Sequence, residues 1–96
     1  MKFMLRWRVH ADKRHDIFKV FSQMTAKDDD ENIGVGVKLI GRWHDLAGFT
    51  GVAIAESNDL QAVENWALSW NHAIDLELTP VLDDAETRAI GKARFK

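Results

Sequence analysis

The sequence contains no cysteine and no tyrosine, and its 96 residues include a single proline. Without cysteine there can be no disulfide, no thiolate nucleophile and no Cys-type zinc site. Without tyrosine, one common proton donor is missing from any active site. Charge of one sign is not in excess either: 13 basic and 15 acidic side chains leave a net charge of -2. That balance supplies no long-range attraction for nucleic acid or an anionic membrane, and neither is expected as a partner. Long hydrophobic runs are lacking as well. The stretch Met1 to Arg8 has no signal-peptide core, and nothing later approaches the roughly 20 apolar residues of a membrane span, so a cytoplasmic location is expected. There is no Gly-rich phosphate loop and no Ser-His-Asp order, and no cofactor is implied.

What remains reads as one domain over residues 1–96. Hydrophobic residues make up 46% and charged residues 29%, as in ordinary globular chains. A domain of this size buries roughly 60–70% of the surface its unfolded chain exposes, so burial of further apolar surface in a homodimer would help it.

Residues 2–9 alternate, with Phe3, Leu5, Trp7 and Val9 against Lys2, Met4, Arg6 and Arg8, which predicts a strand with one apolar face. Asp12 offers an N-cap, and Ile17, Phe18, Val20, Phe21 and Met24 recur at helical spacing from Lys13 to about Lys27. The acidic run Asp28 to Asn32, followed by Gly34 and Gly36, predicts a flexible loop and a candidate lid. Residues 37–45 alternate again. Val37, Leu39, Gly41 and Trp43 are assigned to the helix side of the sheet, and Lys38, Ile40, Arg42 and His44 to the other. A short Gly-containing turn at 46–50 leads to a strand at 51–56, whose Ala53 and Ala55 are placed on the side away from the helices. Ser57, Asn58 and Asp59 supply caps for a helix with Leu60, Val63, Trp66, Ala67 and Trp70 as its stripe. A strand at 74–79 closes at Pro80, and a short helix runs from about Ala85 to Ile90 before a basic tail.

The order is βαββαβ plus a terminal helix. Two right-handed βαβ units give an α+β, ferredoxin-like fold, with a four-stranded antiparallel sheet in strand order 4-1-3-2. That order sets Arg6 and Arg8 against Asp75 and Glu77, a favourable cross-strand pairing of about 0.2–1 kcal/mol per pair. The face away from the helices is only half polar, which favours its being covered by a second copy of the chain.

Several blocks are familiar: Lys2 to Arg8, Leu39-Ile40-Gly41-Arg42-Trp43-His44-Asp45, Gly51 to Ser57, Trp66 with Trp70, and Thr79-Pro80-Val81-Leu82. Over nearly the whole chain they resemble a family of short bacterial proteins known as a domain of unknown function, the Gly-Arg-Trp-His-Asp block being the most specific part. That family looks like a branch of the dimeric α/β-barrel superfamily, in which two sheets stack face to face. The wider superfamily includes cofactor-independent monooxygenases, haem-degrading enzymes, isomerases and small-ligand sensors. The resemblance therefore implies a fold and a homodimer, and no reaction.

The candidate site is a cleft between sheet and helices. Trp7, Trp43, Trp66 and Trp70 would form aromatic walls for a flat, largely apolar ligand such as a quinone, polyketide or tetrapyrrole. Arg42 and His44 would supply its polar contacts. His44 is also the candidate acid/base of an alternative, enzymatic reading as a monooxygenase or isomerase, with Asn71 or His72 at the mouth. A third reading is an interaction protein whose tryptophans merely fill the core. His10, Asp12 and His15 are too few and too poorly supported to make a metal site, and Asp28 to Asn32 resembles a calcium loop only in charge.

Overall fold

The computed structural model describes residues 1–96. Its elements are β1 (Lys2–Val9), α1 (Arg14–Gln23), α2 (Ala26–Ile33), β2 (Lys38–Asp45), β3 (Thr50–Glu56), α3 (Leu60–Leu68), β4 (Ile74–Val81) and α4 (Asp84–Arg94). The four strands pair antiparallel in the order β2-β3-β1-β4, the expected ferredoxin-like topology. The core lies on one side of the sheet. Phe3, Leu5, Ala53, Ala55, Ile33, Val63, Trp66 and Ala67 form one buried cluster there. Burying each large member stabilises the fold by about 1.5–3 kcal/mol.

Three local features differ from the reading of the sequence. The first is β3. Ala53 and Ala55, expected on the open side, are 1% and 0% exposed and sit opposite Leu5 and Phe3 in the core. Their short side chains leave room for Leu5, Phe3 and the helix residues Val63 and Trp66 in the same cluster. Val52 and Ile54 are the residues that share the open face with Arg6 and Met4.

The second is a β-bulge in β2. Leu39 pairs with Ala55, but Gly41 pairs with Ile54, so one extra residue, Ile40, is inserted between them. A bulge reverses the side-chain phase of every later residue in its strand. Arg42 and His44 consequently stand opposite Ala53 and Gly51 on the helix side, and Trp43 stands opposite Val52 on the open face. The expected placement of all three is inverted. The bulge coincides with a close approach: the Trp43 ring lies across Gly41 and occupies the space that a Cβ would need.

The third is the acidic segment, which is a helix and not a loop. α1 stops at Gln23 because Met24 is extended and Thr25 opens α2. Thr25 Oγ1 accepts from the Asp28 N–H at 3.1 Å, and Asp28 Oδ2 accepts from the Thr25 N–H at 3.0 Å, a closed capping box. Asp28 and Asp29 in the first turn also suit the positive end of the helix. Gly34, at φ 87°, ends it. Asp12 caps nothing; the residue before α1 is Lys13, with no side-chain cap.

Other expectations hold more closely. Asp59 caps α3 through the Gln61 N–H, and Asp83 caps α4 in a second capping box with Glu86. α4 is longer than expected and buries no residue. Arg6 and Glu77 meet at 2.7 Å across the ladder. Arg8 is in register with Asp75, but that carboxylate lies 3.0 Å from His10 Nε2. No helix is long and apolar enough to cross a membrane.

Candidate functional site

The core is not filled. Between the sheet and the helices lies a cleft of about 510 Å³, within the range of small-molecule sites. Its floor is the helix side of the sheet, with Leu5, Trp7, Val9, Ala53, Ile74 and Leu76. Ile17, Phe18 and Phe21 of α1 form one wall, Trp66, Ala67 and Trp70 another, and Phe49 of the β2–β3 turn closes one end.

Each wall is set by local chemistry. The Trp7 ring lies so close against Gly51 that an added Cβ would overlap it, so only glycine permits this approach. Trp70 is anchored through its indole Nε1, which donates to Asn32 Oδ1 at 2.7 Å, while Asn32 Nδ2 donates to Ser69 Oγ at 3.0 Å. Trp66 is buried, and its indole N–H has no acceptor. Phe49 adopts φ 51°, a left-handed backbone that costs a bulky residue about 1–2 kcal/mol. That strain turns its ring onto α1, 5.7 Å from His15 and 6.5 Å from Phe18, with the Arg14 guanidinium 5.5 Å away.

The polar side of the cleft is the end of β2. The Arg42 guanidinium donates to both carboxylate oxygens of Asp29 on α2, at 3.1 and 2.8 Å, and lies 4.8 Å above the Phe21 ring. His44 contacts the same ring at 4.9 Å and the edge of Trp7 at 5.7 Å, and it has no hydrogen-bond partner. Withdrawal from water among these rings lowers its pKa below the ordinary 6.5, and the Arg42 charge lowers it further. At neutral pH the imidazole is uncharged, with one nitrogen able to donate and the other to accept.

Of the residues singled out in the sequence, Trp7, Arg42, His44, Trp66 and Trp70 converge on this cleft. Trp43 also borders it, but the residue is 59% exposed and its register opposite Val52 puts its side chain on the opposite face of the sheet. Asn71 and His72 are outside its lining. Ile17, Phe18, Phe21 and Phe49 line the cleft without having been singled out by the sequence. The helical stripe of the first three is visible there, but nothing in it distinguishes a wall from a packed core. No three His, Asp or Glu side chains gather in a way that could hold a metal ion.

A comparison with curated proteins returns no match. Among solved structures, the crystal structure of an uncharacterized NIPSNAP domain protein from Burkholderia xenovorans aligns at 14% identity with a TM-score of 0.47, over 88% of this chain and 97% of that chain. The family described as domain of unknown function DUF3303 matches residues 1–95, and the chain belongs to it.

Proposed function

We propose that the protein binds a flat, largely apolar small molecule in the cleft between sheet and helices, and does so as a homodimer joined through the open face of the sheet. The observation that carries the first part is the cleft itself. It is an apolar space of about 510 Å³ walled by Trp7, Trp66, Trp70, Phe18, Phe21 and Phe49. Three of these walls are held by specific devices: the Gly51 approach, the Asn32 hydrogen bond and the strained Phe49 backbone. Preformed aromatic walls with a few polar groups at one end are how small-molecule sites are commonly built.

Homodimerisation is supported by the open face. Ile40 and Trp43 are exposed there, beside Met4, Val52 and Ile54, forming an apolar patch on an otherwise charged surface. Contiguous exposed apolar surface of this kind marks interaction sites.

Native mass spectrometry of freshly purified protein tests both parts. A dimer carrying a small extra mass is expected. Replacing Trp7 with Leu should remove the extra mass and leave the dimer; retention of the extra mass would contradict the assignment of the cleft.

One observation favours a second, enzymatic reading as a cofactor-independent monooxygenase or isomerase. His44 is uncharged and without a partner at the cleft, as a general base requires. On that reading His44→Ala abolishes turnover of a quinol or lactone substrate, and full activity of the variant would exclude the role.

A further inference from the structure

If the cleft is the binding site proposed above, its chemistry also narrows the class of ligand. Most of the polar side chains at the cleft are already engaged within the protein. Arg42 gives two donors to Asp29. The Ser22 hydroxyl donates to the Phe18 carbonyl at 2.6 Å. Asp45 accepts from the backbone N–H groups of Ala47 and Gly48 at 3.0 and 3.2 Å. The groups left without a partner are the ring nitrogens of His44, the Thr50 hydroxyl, the Trp7 indole N–H and the Trp66 indole N–H buried in the wall.

No residue lining the cleft therefore carries an unpaired positive charge; Arg14, which packs on Phe49, is not among them. A carboxylate or sulfonate entering the cleft would lose its hydration and find Arg42 already neutralised by Asp29, leaving only neutral donors to offset the desolvation of its charge. A neutral ring system with one oxygen would lose little. Its faces would meet the aromatic walls, and its oxygen would find a hydrogen-bonding nitrogen at His44.

We infer that the ligand is an uncharged, planar aromatic carrying a hydroxyl or carbonyl oxygen that hydrogen-bonds His44, and that the Asp29–Arg42 pair determines this specificity by cancelling the one cation in the cleft. The probes are 2-naphthol and 2-naphthoate, which share a ring system and differ in charge at neutral pH. Binding to the wild-type protein is measured by equilibrium dialysis.

2-Naphthol is expected to bind at least about tenfold more tightly than 2-naphthoate, a factor corresponding to one decade in Kd. His44→Leu should weaken 2-naphthol by about 2- to 12-fold, the worth of one hydrogen bond. Asp29→Asn, which removes the negative charge but keeps the shape, should move the preference toward 2-naphthoate. It also keeps the measurement informative if the His44 variant fails to fold. Equal or tighter binding of 2-naphthoate by the wild type would overturn the inference while leaving the cleft a binding site. Binding of neither probe would overturn both. An Asp29→Asn protein with unchanged preference would show that the pair does not set specificity.

Discussion

Asp29 and Arg42 are joined by two parallel hydrogen bonds of 3.1 and 2.8 Å, and both side chains are mostly withdrawn from water, at 23% and 16% exposure. The pair ties α2 to the bulged end of β2 and holds the Arg42 plane over Phe21. Paired guanidinium and carboxylate groups are among the stronger protein hydrogen bonds. Asp29→Ala leaves the mostly buried guanidinium without its partner and should cost about 1.5–3 kcal/mol in urea unfolding. Arg42→Lys should recover only part of this, because an ammonium cannot make the two-pronged contact.

His44 predicts a pH dependence. Its pKa in the folded state lies below the 6.5 of an unperturbed histidine, first through desolvation and second through the Arg42 charge. The unfolded chain therefore takes up this proton more readily than the folded one, and stability rises with pH across the interval between the two values. The contribution is complete above about 6.5, where the ring is neutral in both states. It is lost as pH falls from there through the folded-state pKa. Comparing urea midpoints at neutral and mildly acidic pH, the wild type should lose more stability on acidification than His44→Gln. Equal losses would contradict the lowered pKa of this partly desolvated imidazole.

Two glycines predict graded costs. At Gly51 an added Cβ would overlap the Trp7 ring and also meet the Trp43 backbone oxygen at 2.8 Å. At Gly41 the nearest atoms it would meet all belong to the side chain of Trp43, an exposed residue, and not to the backbone. Gly51→Ala should therefore destabilise by about 1–3 kcal/mol, as overpacking does, and Gly41→Ala by less. Thermal unfolding of the two variants checks the order.

The proposed dimer predicts that charge on the open face breaks it. Ile40 and Trp43 are exposed beside Val52 and Ile54. Ile40→Lys or Trp43→Lys should give a folded monomer by light scattering, with circular dichroism unchanged. A dimer unaffected by both substitutions would place the interface elsewhere.

The sheet order was legible in the sequence because alternation and helix periodicity are strong signals that survive tertiary context. Charge added a check that held for Arg6 and Glu77 and failed for Asp75, whose carboxylate takes His10. The bulge at Ile40 was not legible, since an inserted residue leaves the alternation of each half intact and only reverses the phase between them. That single residue inverted the placement of Arg42, Trp43 and His44. α2 was hidden by its own acidity: Asp28 to Glu31 reads as a solvated loop until Thr25 and Asp28 are seen as a capping box. The alanines of β3 gave no sign of which side they faced, because two small residues fit a close-packed core and an exposed strand equally well. The candidate site was partly legible. All four tryptophans are among the residues that border the cleft, Trp43 from the strand whose register turns its side chain to the other face, but the existence of the cleft depends on packing that leaves Phe18, Phe21 and Phe49 around a space instead of in contact across it.

The four tryptophans offer the most direct test of the central claim, that the cleft binds a flat aromatic. Each has one indole N–H, and Trp7, Trp66 and Trp70 wall the cleft while the Trp43 ring lies on the other face of the sheet. In a two-dimensional NMR titration of nitrogen-labelled protein with 2-naphthol, the indole signals of Trp7, Trp66 and Trp70 should shift together and saturate, while that of Trp43 stays in place. Absence of any saturable shift, or a shift led by Trp43, would contradict binding in the cleft.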